Sequence, residues 1–362
     1  MQRRSFSIIL MLITNLVITG CTNYRRLASF QNKAADCFDR KTEPYTSIVD
    51  AHIHFRPFSG AAIPFAEITE YLERSGVRFA NVYGIGQGLP IDTACTSYLR
   101  CPGTPLLPTM KNDFLNAINY LHEKPQGVHL TLAMTFLDLA NPKDITQQIR
   151  LLDREFPGLF RWAGEVNLVK QAFFKNQHQP TPIETIKEWS DFMTLLRKRG
   201  IPLAIHSDLG NDNHPTQYQY LMEEALRLYP ENKIVWMHMG LSNELTTIDP
   251  DQHIRIMKRF LDDNKNLMLD IAWRIIYDHY FSNPKIRSKY VAFFNQYSDR
   301  ILSGTDFVAK HTKTYNDYEE ELDINSRINQ YLSDKAFRNI ALGQNYFRLL
   351  KLDYRAPRIC SQ

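Results

Sequence analysis

Short apolar, β-branched runs recur along this 362-residue chain, separated by longer stretches in which apolar residues return every three or four positions. Eight runs stand out, each bounded by turn-forming residues: 47–54, 79–85, 129–136, 159–166, 201–207, 233–239, 266–273 and 300–307. Amphipathic helices are expected between them, over 63–75, 144–155, 183–199, 217–228, 251–263 and 285–296. Each parallel strand pair needs a crossover that covers one face of the sheet, and a closed sheet leaves no edge. The pattern predicts an α/β fold, a closed (β/α)8 TIM barrel, with a doubly wound open sheet as the alternative. It also divides the chain into a leader (1–20), a polar tether (21–46), the barrel (47–352) and a short tail (353–362).

Barrels of this kind carry their chemistry at the C-terminal ends of the strands. His52 and His54 are two apart, so in a strand they point to one face. Glu165, His206, His238 and Asp306 end the fourth, fifth, sixth and eighth runs. Imidazoles with carboxylates suit a divalent metal, most simply zinc, as one or two ions; manganese, iron and nickel fit the same donors. A bound ion brings the pKa of water down to roughly 7. Asp306 is then the candidate base, moving the proton to the leaving group. His238 has two readings, ligand of a second ion or hydrogen-bond donor to a developing oxyanion. The competing reading of Glu165 is an ion pair with Lys170 or Arg161, and that of His206 and His238 is a core hydrogen bond to a backbone carbonyl. In the loops that follow the strand ends, Lys170, Asp208, Trp273 and Arg274 are candidate substrate contacts, together with Arg56 and Gln87; Lys170 and Arg274 suit an anionic group. The glycines of Tyr83-Gly84-Ile85-Gly86-Gln87-Gly88 run into Leu89-Pro90, which opens no helix and matches no dinucleotide fingerprint.

The ordered set Asp-Ala-His-Ile-His (50–54), Ala-Gly-Glu-Val (163–166), Leu-Ala-Ile-His-Ser (203–207), Val-Trp-Met-His-Met-Gly (235–240) and Leu-Ser-Gly-Thr-Asp-Phe (302–307) resembles the metal-dependent amidohydrolase superfamily, and within it the amidohydrolase-related (amidohydrolase 2) group. The resemblance runs from about Ile48 to Leu350. It includes Gly343-Gln344-Asn345-Tyr346-Phe347-Arg348, similar to the group's terminal Gly-Asn-Ala-x-Arg signature, with Tyr346 for the usual Ala and a displacement of one position. Glu165 is similar to the Gly-Glu element of the TatD-like deoxyribonuclease branch, whose strand carboxylate binds metal; other relatives have none there or use a carboxylated lysine. The resemblance implies a TIM barrel with its metal site at the strand ends. It implies hydrolysis of a small ester, lactone or amide, or alternatively nonoxidative decarboxylation of an aromatic or unsaturated acid. Glu165 as a true ligand, or two metals, favours hydrolysis; one metal with an arginine gripping a carboxylate favours decarboxylation. A surface lipoprotein that keeps the barrel without catalysis is the third reading.

The N-terminus bears on location. Arg3 and Arg4 precede an apolar run over 6–20, too short to span a bilayer comfortably and laid out like a secretory leader. Val17-Ile18-Thr19-Gly20-Cys21 resembles a bacterial lipobox, which implies cleavage and acylation, including palmitate, at Cys21. With no aspartate at position 22, the resemblance points to a lipid-anchored protein of the cell envelope, at the outer membrane or facing the periplasm. Cys37, Cys95, Cys101 and Cys360 allow three pairings. A Cys95–Cys101 bridge would close a local loop, a Cys37–Cys360 bridge would staple the two ends of the barrel, and free thiols are the alternative. The formal charge is +4, or +2 once a leader carrying Arg3 and Arg4 is removed. That is no nucleic-acid footprint, so the expected partners are a small-molecule substrate and a membrane; nothing indicates an oligomeric state.

Overall fold

The computed structural model describes residues 27–31, 37–90, 93–95 and 97–361; the expected leader and Cys21 lie outside the described residues. Nine parallel strands form one curled sheet with helices around it, a TIM-like α/β fold. In chain order these are β1 (Val49–His54), β2 (Phe79–Tyr83), β3 (His129–Met134), β4 (Phe160–Val169), β5 (Leu203–Ser207), β6 (Ile234–Trp236), β7 (Leu267–Asp270), β8 (Ile301–Leu302) and β9 (Phe307–Val308). Their spatial order is β8-β7-β6-β5-β4-β3-β2-β1-β9. Strands β1, β2, β5 and β6 are buried at every position, so the polar residues of β1, Asp50, His52 and His54, are as enclosed as its apolar ones.

The eighth run is split. Ile301–Leu302 pairs with β7, and Phe307–Val308, five residues on, pairs with β1. The intervening Ser303 accepts a backbone hydrogen bond from Ala51, and the Asp306 N–H donates to the His52 carbonyl. Gly304 permits this close passage, because a Cβ there would sit 2.7 Å from the His52 nitrogen. The sixth run stops at Trp236 rather than 239, since His238 and Met239 turn left-handed at φ 55° and 53°.

The helices follow their caps. Helix α1 (Pro250–Asp263) starts where the Asp249 side chain accepts from the Gln252 N–H and Pro250 takes the first position; it buries His253, Met257, Phe260 and Leu261. Helix α2 (Tyr315–Ser326) opens with a capping box of Thr314 and Asp317. It went unpredicted, as did the helices Lys111–Glu123, Asp334–Ile340 and Gln344–Leu350. The glycine-rich stretch after β2 is ordered by a two-residue antiparallel pairing of Gln87–Gly88 with Leu107–Pro108.

The stretch expected as a tether is docked over its described part. Phe30 is buried with its ring edge-on to Phe79, and buried Phe38 forms a parallel bridge with Ile359. Arg40 holds the Leu332 carbonyl and Asp334. Two phenylalanines whose burial contributes about 2 kcal/mol each outweigh the polar composition that suggested a free linker. Cys37 is bonded to Cys360 and Cys95 to Cys101. The first bridge closes a separation of 323 residues and lowers the entropy of the unfolded chain, a stabilisation of up to about 6 kcal/mol in the loop-closure account.

Candidate metal centre

Three imidazoles are locked by the partners of their Nδ1 atoms. His54 Nδ1 lies 2.7 Å from the Gly84 carbonyl, His238 Nδ1 2.9 Å from the Ala272 carbonyl, and His52 Nδ1 3.1 Å from Asp270 Oδ2. Carbonyl and carboxylate oxygens only accept, so each Nδ1 carries a proton and each Nε2 is left as the atom whose lone pair an ion would take on displacing any proton there. Those lone pairs converge. His52 Nε2 and His54 Nε2 are 3.2 Å apart, and Asp306 Oδ1 lies 3.3 Å from the first and 3.2 Å from the second. Glu165 Oε2 is 3.3 Å from His54 Nε2, and Glu165 Oε1 is 3.7 Å from His238 Nε2. Two sets of donors each fall within 4.8 Å of one another, His52 with His54 and Asp306, and His52 with Glu165 and His238. Facing lone pairs and carboxylates at such spacing require protons or a cation between them. The donor set therefore fits a divalent ion.

His206 is held differently. Its Nδ1 lies 2.5 Å from Glu165 Oε1 and its Nε2 2.9 Å from Asp208 Oδ1, so both nitrogens donate and the ring stands outside both donor sets. Lys170 Nζ is 3.3 Å from Glu165 Oε1 and 3.4 Å from His206 Nδ1. The sequence alternative of a Glu165–Lys170 pair is thus present together with the metal-competent geometry, while Arg161 turns away to the Leu350 carbonyl.

Electrostatics follow from these contacts. Burial would push His52 and His54 down, but Asp306 and Glu165, with Asp270 at His52, outweigh it; His52 ends well above the ordinary imidazole range and His54 above it. Burial and Lys170 oppose the His206 proton, yet Glu165 and Asp208 raise it. Glu165 is driven up by burial and more than compensated by Lys170 and His206, which hold it well below the carboxylate range. Asp306 is likewise lowered, its burial outweighed by His52, His54 and His238.

A cavity of about 370 Å³ opens beside this cluster, lined among others by His54, Lys170, His238, Trp273, Arg274 and Asp306. Asp306 is the most accessible group of the converging donors, with 15 % of its side chain exposed against 6 % for Glu165 and 1 % for His52. Of the expected substrate contacts, Lys170, Trp273 and Arg274 face the cavity. Arg274 is bound to Asp278 and Glu320, and Asp208 lies behind His206, also accepting from the Gln171 N–H. Arg56 donates to Asn116 and Gln87 accepts from Asn167.

Seven described non-glycine residues have positive φ. Lys124, Gln177 and Lys351 are helix C-caps, where the left-handed region is ordinary. Of the other four, His238, Trp273 and Asp306 line the cavity and Met239 follows His238 in the same turn. Such backbone persists where surroundings over-determine it. His253 provides one support: it bridges the Tyr290 hydroxyl and the Met239 carbonyl, and burial lowers it to about 4, so it acts as a neutral strut.

Sequence reasoning missed Asp270, the last residue of β7. The signal was available, an acid closing the apolar run Leu267-Met268-Leu269, by the same rule that selected Asp306. It also missed Tyr83, whose ring packs 4.8 Å from His52 and 5.6 Å from His54.

The amidohydrolase family profile matches residues 49–343. Among solved structures, a zinc-bound amidohydrolase from Burkholderia multivorans is similar over 84 % of this chain and 99 % of that one, at TM-score 0.51 and 10 % identity. A dihydroorotase from Campylobacter jejuni covers 85 % and 84 %, at TM-score 0.46 and 13 % identity. The dihydroorotase of Saccharomyces cerevisiae in complex with 5-fluoroorotic acid covers 85 % and 84 %, at 0.49 and 11 %. At these identities the first likeness concerns the fold, and the two dihydroorotase likenesses carry no further weight. No curated protein sequence matches the chain.

Proposed function

Since the chain belongs to the amidohydrolase family and is a metal-dependent hydrolase, we propose that it cleaves a small ester, lactone or amide with zinc as its ion, held singly or as a close pair. The observation that carries this is the convergence on two carboxylates of three imidazole Nε2 atoms, each ring anchored through its Nδ1 proton. His52, His54 and Asp306 make one half of the site, His238 and Glu165 the other. His206 completes it through Nδ1 when that atom loses its proton, because Asp208 keeps the proton on Nε2. His238 is read as a ligand rather than an oxyanion donor, since its Nδ1 is committed to the Ala272 carbonyl and its Nε2 faces Glu165.

Such an ion, when bound, supplies Lewis acidity that polarises a carbonyl and acidifies water. Asp306 reaches the cavity as a carboxylate, accepts the proton of the attacking water at its free oxygen and returns it to the leaving group. Lys170 and Trp273 form one wall of the pocket and orient the substrate. Glu165 in the donor set and Arg274 engaged by two acids both favour hydrolysis over decarboxylation. Around the site, we read the segment 301–308, pairing with β7 at one end and β1 at the other, as closing a (β/α)8 barrel within 47–352. We further propose that Cys21 carries the lipid that anchors the mature protein in the bacterial cell envelope. Several acyl chains hold where one alone binds weakly, and Cys21→Ser should release the protein or block maturation.

The test of the site is metal content in the full chain purified without chelator or affinity-column metal, for wild type and His52→Ala/His54→Ala. Stoichiometric zinc in the first, background zinc in a folded second, and hydrolysis in an ester, lactone and amide screen are expected. Equal metal in both overturns the assignment.

A further inference from the structure

Strand β7 supplies no donor to the centre, yet its end controls two of them. Asp270 Oδ2 accepts from His52 Nδ1 at 3.1 Å and also lies 3.4 Å from the backbone N–H of His238. Asp270 Oδ1 accepts from the Ala272 N–H at 3.1 Å, and the Ala272 carbonyl in turn accepts from His238 Nδ1 at 2.9 Å. Asp270 is 1 % exposed and does not itself line the cavity.

We infer that Asp270 is a positioning residue for the metal centre: one carboxylate sets the tautomer of His52 directly and, through the turn at Ala272, the direction of His238. This role rests on the metal-site reading above and extends it to a residue that touches no ion. His52 and His238 approach from different strands, and their rings stack at 5.1 Å with an interplanar angle of 20°. Their Nε2 atoms share an aim only if both Nδ1 protons point away from the centre. His238 also sits at φ 55°, where an ordinary residue resists staying unless its backbone is held. Asp270 receives that backbone N–H. A neutral or shorter side chain at 270 frees the His52 ring to carry its proton on Nε2, which blocks the lone pair the ion needs, and removes the strap on the left-handed turn.

The experiment is competition of zinc against a chelating dye of known affinity, on the full chain, for wild type, Asp270→Asn and a second buried-acid variant, Asp113→Asn, whose carboxylate bonds to Thr135 and Phe136 rather than to a donor of the centre. Loss of an outer carboxylate typically weakens metal binding about 10- to 100-fold. That loss is expected for Asp270→Asn with an unfolding transition retained in the metal-free state, and no loss for Asp113→Asn. Zinc affinity of Asp270→Asn within twofold of wild type overturns the inference. Absence of zinc binding by wild type instead overturns the metal reading itself. Should Asp270→Asn fail to fold, the wild-type protein still decides the matter: nitrogen-15 spectra, with His52→Gln for assignment, must show His52 protonated at Nδ1 in the zinc-loaded state. A proton on Nε2 there refutes the role.

Discussion

Two regions hold carboxylates largely away from water and treat them in opposite ways. At the mouth, Glu165 and Asp306 are driven up by burial yet end below the ordinary range, because Lys170 and the histidines surround them with positive charge. In the supporting shell, Asp50 and Asp113 meet only neutral donors or distant charge. Asp50 accepts from the Thr305 N–H and hydroxyl and the Tyr318 hydroxyl, Asp113 from the Thr135 N–H and hydroxyl and the Phe136 N–H. Burial pushes these two up to about 6 and about 7 despite those bonds. At Asp50 and Asp113 the hydrogen bonds do not offset burial, whereas at Glu165 and Asp306 neighbouring positive charge does. The charged pair is available for an ion and for proton transfer; the other pair ties loops to strands.

The largest effect that tests this contrast is at Asp306. Asp306→Asn keeps the shape and one oxygen but removes the base, so kcat should fall by about 10²- to 10⁴-fold with metal largely retained. Turnover near wild type with full metal would move the proton to another group, Asp208 or Glu165.

Asp113→Asn probes the shell. Asparagine can still accept from both backbone N–H groups and donate to the Thr135 hydroxyl. Between about pH 4 and pH 7 the folded chain keeps a proton on Asp113 that the unfolded chain releases, so this group's contribution to stability falls as pH rises through that window. The variant should abolish the decline and gain as much as about 4 kcal/mol relative to wild type at pH 8, read from urea midpoints across pH. An unchanged pH dependence would show that Asp113 is charged like the mouth acids.

Zinc binding should rise with pH. His52, His54 and His206 are all raised above the ordinary imidazole range by neighbouring acids against the pull of burial, so an ion must displace their protons near neutrality. Each displaced proton makes affinity climb about tenfold per pH unit. Calorimetric titrations in buffers of different ionisation enthalpy count them, and a flat profile from pH 6 to 8 would dissolve the distinction between the two regions.

The smallest effect is expected at Arg274, whose side chain is 39 % exposed and held by Asp278 and Glu320. Arg274→Ala should change stability by less than about 1 kcal/mol and leave KM nearly unaltered. A tenfold rise in KM would extend the charged mouth to include it.

Much of this site was legible in order along the chain. His52 and His54 share a face because a strand repeats every two residues, and Asp306 and His238 follow apolar runs whose ends a parallel sheet brings to one side. Local pattern did not show that Phe30 and Phe38 dock a polar stretch onto the sheet, since their partners Phe79 and Ile359 lie far along the chain. Nor did it show the cysteine pairing, which depends on the two termini meeting. Residue types and their period determined that the chain builds alternating strands and helices with imidazoles and acids at the strand ends. Tertiary structure alone decided which ring nitrogen bears the proton, that His206 faces two acids, and that Asp270 governs two histidines. Those choices rest on hydrogen bonds and charges a few ångströms away in space, between residues up to 218 positions apart.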